Sequence, residues 1–101
     1  MVDISLQTLP PNVSPETVAG LLNETRERET VLGAMIRRFE QRYGASLKEL
    51  ETRLDRGEGS EHPDWEDSIE WRNALEALER TRVMRNLLEW LLPSIKPSLA
   101  S

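Results

Sequence analysis

The chain contains no cysteine, and aromatic residues make up only 5% of its 101 residues. Without cysteine it has neither disulfides nor a thiolate for catalysis or metal binding, which is compatible with a reducing cytosol. Few aromatic and β-branched residues, together with 38% hydrophobic and 31% charged residues, favour helices over sheet. The length suits one domain with a small core.

Long hydrophobic runs are also missing. The most apolar segment, residues 83–92, contains Arg85 and Glu89 and is shorter than the roughly 20 residues that span a bilayer. The N-terminal segment has no basic region followed by an apolar one, so it does not resemble a signal peptide. These absences predict a soluble, cytoplasmic protein without a membrane segment.

The residues needed for catalysis or metal binding are scarce. His62 is the only histidine, and it lies beside Pro63 at the predicted start of a helix, without a second nitrogen or sulfur ligand at helical spacing. A helical hairpin offers no cleft that would desolvate one carboxylate of an acid–base pair. We therefore predict no catalytic residue, no metal and no cofactor, and we expect that the protein is not an enzyme.

Arginines on the two long predicted helices raise the question of nucleic-acid binding. Six of them could form a basic strip: Arg37, Arg38, Arg42, Arg80, Arg82 and Arg85. Glutamates are mixed among them, whereas nucleic-acid-binding domains normally carry a net basic charge. Surface ion pairs such as Glu24 with Arg28 and Glu76 with Arg80 are the preferred interpretation, and direct nucleic-acid binding is not expected.

The first helix has clear signals at both ends. Ser14 and Pro15 are typical of a helix start, and Gly44 is a natural C-terminal cap. We predict an extended arm over residues 1–13 and a helix over 15–43. Its apolar seam has a period of about 3.5 residues, which suits packing against another long helix. The seam consists of Val18, Leu22, Thr25, Glu29, Leu32, Ile36, Phe39 and Tyr43, with polar interruptions at Thr25 and Glu29.

Two further helices are predicted. Ser46 and Glu49 form a capping box that begins a short helix over residues 46–56, which ends at Gly57 and Gly59. A second long helix over 64–92 begins with Asp64 as a cap and ends at Pro93. The predicted helical domain therefore covers 14–93, and a flexible tail covers 94–101.

These helices predict an all-α fold: an antiparallel hairpin of two long helices, joined by a short connecting helix, that completes a bundle by dimerisation. Near its end the last helix is apolar around nearly its whole circumference, more than one partner helix can bury. We therefore predict a homodimer, although the N-terminal arm could instead cover this end. The predicted oligomer interface consists of Val83, Leu87, Leu88, Trp90 and Leu91.

Most of the negative charge lies in one stretch. Residues 51–70 contain eight acids and two arginines, a net charge of −6, whereas the whole chain carries −5. Such a field attracts a basic surface, although it could also be a solvated face that aids solubility. Two tryptophans lie in this stretch or beside it, six residues apart, so we expect one in the core and the other at a partner site. The predicted partner-binding residues are Glu61, Asp64, Trp65, Glu66, Asp67, Glu70 and Trp71.

The acidic stretch and the helix before it resemble a known group of proteins. The matching features are Phe39-Glu40, Tyr43-Gly44, the leucine-rich segment 47–54, Asp67, and Glu70-Trp71. This pattern resembles small acidic helical proteins of bacteria and archaea that are often encoded beside a toxin-like gene and taken to be antitoxins. The resemblance covers about 40 residues, and nothing in residues 1–35 aligns with it. It implies a basic protein partner, a toxin that could be a ribonuclease.

The acidic stretch and the resemblance together predict a protein that neutralises a basic toxin through an acidic, tryptophan-containing surface. The alternative from another class is a non-enzymatic homo-oligomeric helical scaffold, or an adaptor for an unrelated basic protein. If the acidic face is only a binding surface, reversing Asp64, Glu66 and Asp67 to lysine should leave helicity nearly intact.

Overall fold

The computed structural model describes residues 14–59 and 61–95, apart from the side chains at 61 and 62. It contains three α-helices: α1 (Pro15–Tyr43), α2 (Leu47–Asp55) and α3 (Glu66–Ile95). A π-helical turn, Glu61–Trp65, leads directly into α3. No strand occurs in the described ranges, so the prediction of an all-α fold is confirmed for them. The predicted arm 1–13 and residues 96–101 of the predicted tail lie outside the described residues, whereas Ser94 and Ile95, also assigned to the flexible tail, are helical.

The ends of α1 agree with the predicted ends. The Ser14 hydroxyl accepts a hydrogen bond from the Thr17 N–H at 3.1 Å. At the other end Gly44 adopts a left-handed conformation with φ of 57°, and its N–H donates to the Glu40 carbonyl at 2.8 Å. A residue without a Cβ takes this conformation at little cost, which is why the helix ends there.

The short helix α2 also begins as predicted. The Ser46 hydroxyl accepts a hydrogen bond from the Glu49 N–H at 3.2 Å. Leu47 and Leu50 are buried, and Leu54 packs against the same cluster. This one apolar face attaches α2 to the long helices.

The ends of α3 differ from the prediction. The chain is already helical from Glu61, but with the wider π geometry up to Trp65, and Asp64 lies inside that turn. At the other end Pro93 lies within α3, which continues to Ile95. A proline lacks only its own N–H, and the residues after it keep theirs and can complete the last turn.

The two long helices are antiparallel, as predicted. Near the start of α1, Val18 and Leu22 form a buried cluster with Leu88 of α3. Near the end of α1, Phe39 packs against Trp71, close to the start of α3. The two apolar clusters therefore lie at opposite ends of the hairpin.

Polar side chains separate the two clusters. At the middle of the seam Glu29 binds Arg85 at 3.3 Å and Arg82 at 3.4 Å. Arg26 and Glu89 form another bridge between the helices, at 3.0 Å. The predicted polar interruption of the α1 seam thus faces a matching interruption of the α3 seam, at Arg85.

These interhelical pairs differ from the surface pairs predicted from spacing. Among the described residues the ion pairs do not include Glu24 with Arg28 or Glu76 with Arg80. A contact within one helix gains only a few tenths of a kcal/mol, about 0.2–0.5, so tertiary neighbours readily displace it.

Candidate functional site

Trp71 is the centre of the larger apolar cluster. Its side chain is 2% exposed, and its ring stacks on Phe39 with centroids 5.6 Å apart and on Tyr43 at 6.1 Å. Trp65, six residues earlier, is 54% exposed. The predicted division into one core and one exposed tryptophan is confirmed. Trp71 itself, however, is not at a surface where a partner could contact it.

Asp67, predicted to contact a partner, is buried as well. It is 8% exposed, and its Oδ2 accepts hydrogen bonds from the Tyr43 hydroxyl at 2.5 Å and from Arg42 Nη1 at 2.7 Å. The prediction that Asp67 contacts a partner from an exposed position is not supported, and reversing it to lysine is expected to disturb the contacts that hold it. A lysine there would place a second cation beside Arg42 in a half-enclosed position.

These contacts change the titration of both donors. Burial of the Tyr43 ring raises the pKa of its hydroxyl well above the usual value, and the hydrogen bond to Asp67 raises it further. The hydrogen bond to Asp67, followed by the charge of the same carboxylate, raises the pKa of Arg42. Tyr43 therefore stays protonated as a donor, and the end of α1 is tied to the first turn of α3.

Several carboxylates lie close to Trp65 in the chain. Glu66 and Glu70 are exposed, and Asp64 is half-buried, with its Oδ1 3.3 Å from the Tyr43 hydroxyl. We call Asp64, Trp65, Glu66 and Glu70 the acidic surface. Glu61, the remaining predicted contact, has its side chain outside the described part of the chain, as does His62.

The charge of the acidic stretch is smaller than the sequence alone indicates. At least two of its described carboxylates are bound by arginines from outside the stretch, Asp67 by Arg42 and Glu51 by Arg72. These ion pairs make the charge that the stretch presents to solvent less negative than the −6 of its composition.

Trp65 is the last residue of the π-helical turn. The Trp65 carbonyl, at the junction between the two helical geometries, accepts a hydrogen bond from the Ser68 hydroxyl at 2.6 Å. Ser68 and Asp67 are both buried in the first turn of α3. The backbone under Trp65 is thus held in place while its side chain extends into solvent.

A shallow cleft of about 370 Å³ lies beside this region, lined by Met35, Arg38, Phe39, Arg42, Asp67 and Glu70. Its buried carboxylate, Asp67, is already bound by two donors. The only other carboxylate in the lining is Glu70, which is exposed. The cleft therefore does not bring Asp67 together with a second buried carboxylate.

Two other properties follow from the described residues. They contain no group of three or more histidine, cysteine, aspartate or glutamate residues arranged to hold a metal ion. None of the helices described is long and apolar enough to cross a membrane.

The predicted oligomer interface divides into buried and exposed residues. Leu88 is 6% exposed and packs with Val18 and Leu22, and Leu91 packs against the same cluster. The other three side chains point outward, with exposures of 63% for Val83, 52% for Leu87 and 60% for Trp90. Leu88 and Leu91 are therefore part of the hairpin core, because α1 covers that side of α3.

The chain was also compared with known proteins. No family model, curated protein or solved structure matches it.

Sequence reasoning did not identify Tyr43 and Arg42 as the residues that hold Asp67. Tyr43 was placed in the apolar seam, and Arg42 in a basic strip. A usable signal was present, because Tyr43 is the last seam residue before the Gly44 cap and faces the start of the antiparallel helix. An acid in that first turn is its natural hydrogen-bond partner.

Proposed function

We propose that the protein is a non-enzymatic protein-binding protein, similar to antitoxins, that neutralises a basic toxin through its acidic surface. The observation that carries this proposal is the exposed Trp65, which has Asp64, Glu66 and Glu70 within five residues of it in the chain and a backbone carbonyl bound by Ser68. Exposed tryptophan is costly in water and is strongly enriched among the residues that dominate binding energy.

Charge and aromatic surface would have separate roles in such an interface. The carboxylates would accelerate association with a basic partner and make the association rate sensitive to salt. Trp65 would enter a pocket on the partner and slow dissociation. For a ribonuclease toxin, the same carboxylates would occupy the basic groove that otherwise binds RNA phosphates.

Contacts with α1 hold the start of α3 in place beneath the acidic surface, which supports this proposal. Asp67 is bound by Arg42 and Tyr43, and Trp71 stacks on Phe39 and Tyr43. A side chain that projects from a rigid helix start loses less freedom on binding than one on a mobile loop.

To test the proposal, the tagged parent chain is produced in its native cells and the proteins bound to it are isolated. The variants are then compared with the parent. A basic protein captured by the parent is identified and purified, and its binding kinetics are then measured at two salt concentrations. Trp65→Ala should raise the dissociation rate, by the equivalent of about 2 kcal/mol. The double variant E66K/E70K should mainly slow association and weaken its salt dependence. Neither substitution touches Asp67.

Matched controls are available on the exposed side of α1. E24K/E27K makes the same charge change, and Val31→Ala removes an exposed apolar side chain. Both controls should bind as the parent does. If E66K/E70K and Trp65→Ala also bind as the parent does, the acidic surface is only a solvated face and the proposal is wrong.

A second function, self-association as a helical scaffold, is favoured by a different observation. Val83, Leu87 and Trp90 are all more than half exposed on one side of α3. Three such residues at helical spacing form a continuous apolar strip, the kind of surface that a second helix can cover.

A further inference from the structure

The side of α3 that faces away from α1 has its own regular pattern. A helix turns about 100° per residue, so residues separated from buried Leu78 by about 120–200° lie on the opposite side. Six residues of that side form what we call the outer stripe: Ile69, Glu76, Arg80, Val83, Leu87 and Trp90. The exposed polar residues Arg72 and Asn73 lie on the same side. All six are exposed, and from Glu76 onward they follow alternating spacings of four and three, as in a helix that packs against another helix.

Charges and apolar residues are ordered along the outer stripe. Glu76 and Arg80 lie at its middle, and apolar side chains lie on both sides: Ile69 toward the start of α3, and Val83, Leu87 and Trp90 toward its end. The four apolar residues are 42–63% exposed. The stripe is therefore apolar at both ends and carries two opposite charges at its centre.

We infer that the outer stripe is the interface with a second copy of this chain, with the two α3 helices antiparallel and the two-fold axis beside residue 78. In this arrangement Glu76 of each copy meets Arg80 of the other, because the two positions are equally distant from residue 78. Ile69 meets Leu87 for the same reason. The inference rests on the self-association function proposed above and specifies its geometry.

The charges decide between a second copy in this orientation and one in the parallel orientation. Parallel helices would place Glu76 against Glu76 and Arg80 against Arg80, and like charges in facing positions are destabilising. The antiparallel arrangement makes both contacts attractive. A two-fold interface uses the same patch on both copies, so each residue faces the one equally distant from residue 78. The pairs Glu76–Arg80 and Ile69–Leu87 suit this reversal, whereas Val83 and Trp90 face the polar residues Asn73 and Glu66 of the second copy.

The pattern also leaves the hairpin core undisturbed. The buried residues Ala74, Leu78 and Thr81 face α1, and Leu88 packs against Val18 and Leu22. Pairing through the outer stripe requires no rearrangement of these contacts. The acidic surface adjoins the start of the stripe, since Asp64 and Trp65 lie in the π-helical turn and Glu66 and Glu70 lie in the first turns of α3, before and after Ile69.

The first experiment measures the dissociation constant of the dimer by sedimentation at micromolar concentrations. The parent should be a dimer. E76R and R80E should each weaken it by about tenfold or more, since each variant replaces two attractive contacts by two repulsive ones. An equal mixture of the two variants should form dimers again, because one chain then carries two arginines and the other two glutamates. E24R, on exposed α1, is the matched control and should leave the dimer unchanged.

The second experiment uses the absence of cysteine in the chain. A mixture of Ile69→Cys and Leu87→Cys chains should form a disulfide-linked pair under mild oxidation. Neither variant alone should do so, because identical positions nine residues from the axis are about 27 Å apart. Circular dichroism confirms that each variant is as helical as the parent.

The outcomes test self-association and the antiparallel arrangement separately. A parent that stays monomeric at these concentrations overturns both self-association and the proposed arrangement. A parent dimer whose stability E76R and R80E leave unchanged, or in which Leu87→Cys cross-links to itself, overturns the antiparallel arrangement and leaves self-association standing. Binding of the basic partner is measured separately and does not enter either result.

Discussion

The Tyr43 hydroxyl donates a hydrogen bond to Asp67 over 2.5 Å, and the Tyr43 ring stacks on Trp71 four residues further along α3. One side chain thus joins the end of α1 to the first turn and a half of α3 through a polar contact and an apolar one. The orientation of the acidic surface depends on this junction. Four predictions follow from it and from the polar middle of the hairpin.

The first concerns alkaline pH. Because the pKa of Tyr43 is raised in the fold, the folded chain keeps a proton that the unfolded chain loses near its ordinary value of about 10. The free energy of unfolding contributed by this group is fully present below about pH 10 and falls as the pH rises above it.

Tyr43 is the only tyrosine, so ultraviolet absorbance of tyrosinate reports on it alone. Its midpoint in the folded chain should lie above that measured in urea. In Tyr43→Phe the additional loss of stability above about pH 10 should disappear. Equal midpoints in the folded and unfolded chains would contradict the buried, hydrogen-bonded position of the hydroxyl.

The second prediction compares two neighbouring acids. Asp67→Asn should lower the free energy of unfolding by about 1–3 kcal/mol, because hydrogen bonds to a buried charged acceptor are lost or weakened. Glu70→Gln, at an exposed position in the next turn, should change it by less than about 0.5 kcal/mol. Urea unfolding followed by circular dichroism measures both. Equal effects would mean that Asp67 is not a structural residue.

The third prediction separates the two tryptophans of the acidic region. Trp71→Ala should cost about 3–5 kcal/mol, since it leaves a cavity between Phe39 and Tyr43. Trp65→Ala should change stability by less than about 0.5 kcal/mol, because its side chain is mostly in water. Thermal unfolding distinguishes the two. A large loss in Trp65→Ala would show that this residue belongs to the core and would remove it from the proposed binding surface.

The fourth prediction concerns the polar middle of the hairpin. Glu29→Ala leaves Arg85 without its interhelical partner, and Arg85 already has a buried Nε atom with no hydrogen-bond acceptor. This variant should lose about 1–3 kcal/mol of stability. The double variant E29L/R85L should be at least as stable as the parent, since apolar replacement of a partly buried ion pair is often neutral or favourable.

Glu24→Ala is the control for that comparison, and it should leave stability within about 0.5 kcal/mol of the parent because the position is exposed. If the double variant is less stable than Glu29→Ala, the prediction is wrong. The ion pair between Glu29 and Arg85 would then itself stabilise the fold.

Local signals explain why much of the fold was predictable. A serine cap, a proline in the first turn and a glycine at the end determined the bounds of α1, and each acts within a few residues of itself. The apolar period identified the faces that meet, so the antiparallel hairpin followed. The end of α3 was less predictable, because Pro93 weakens the last turn without preventing it.

The candidate site was predictable only in part. The region, the exposed tryptophan and the acidic character could be read from the chain, but Asp67 and Trp71 were assigned to a surface and are buried. Leu88 and Leu91 were likewise assigned to an oligomer interface and belong to the hairpin core. In each case a residue type suited to binding also suited an internal contact.

The sequence by itself determined the helices, their apolar faces and the concentration of negative charge, since these depend on interactions between residues near one another in the chain. Only the tertiary structure decided which acids are bound by arginines and which side of α3 stays uncovered. Arg42 and Asp67 are 25 positions apart, and Val18 covers Leu88 from the other helix. Such pairings depend on the register of two long helices, and composition and spacing do not specify that register.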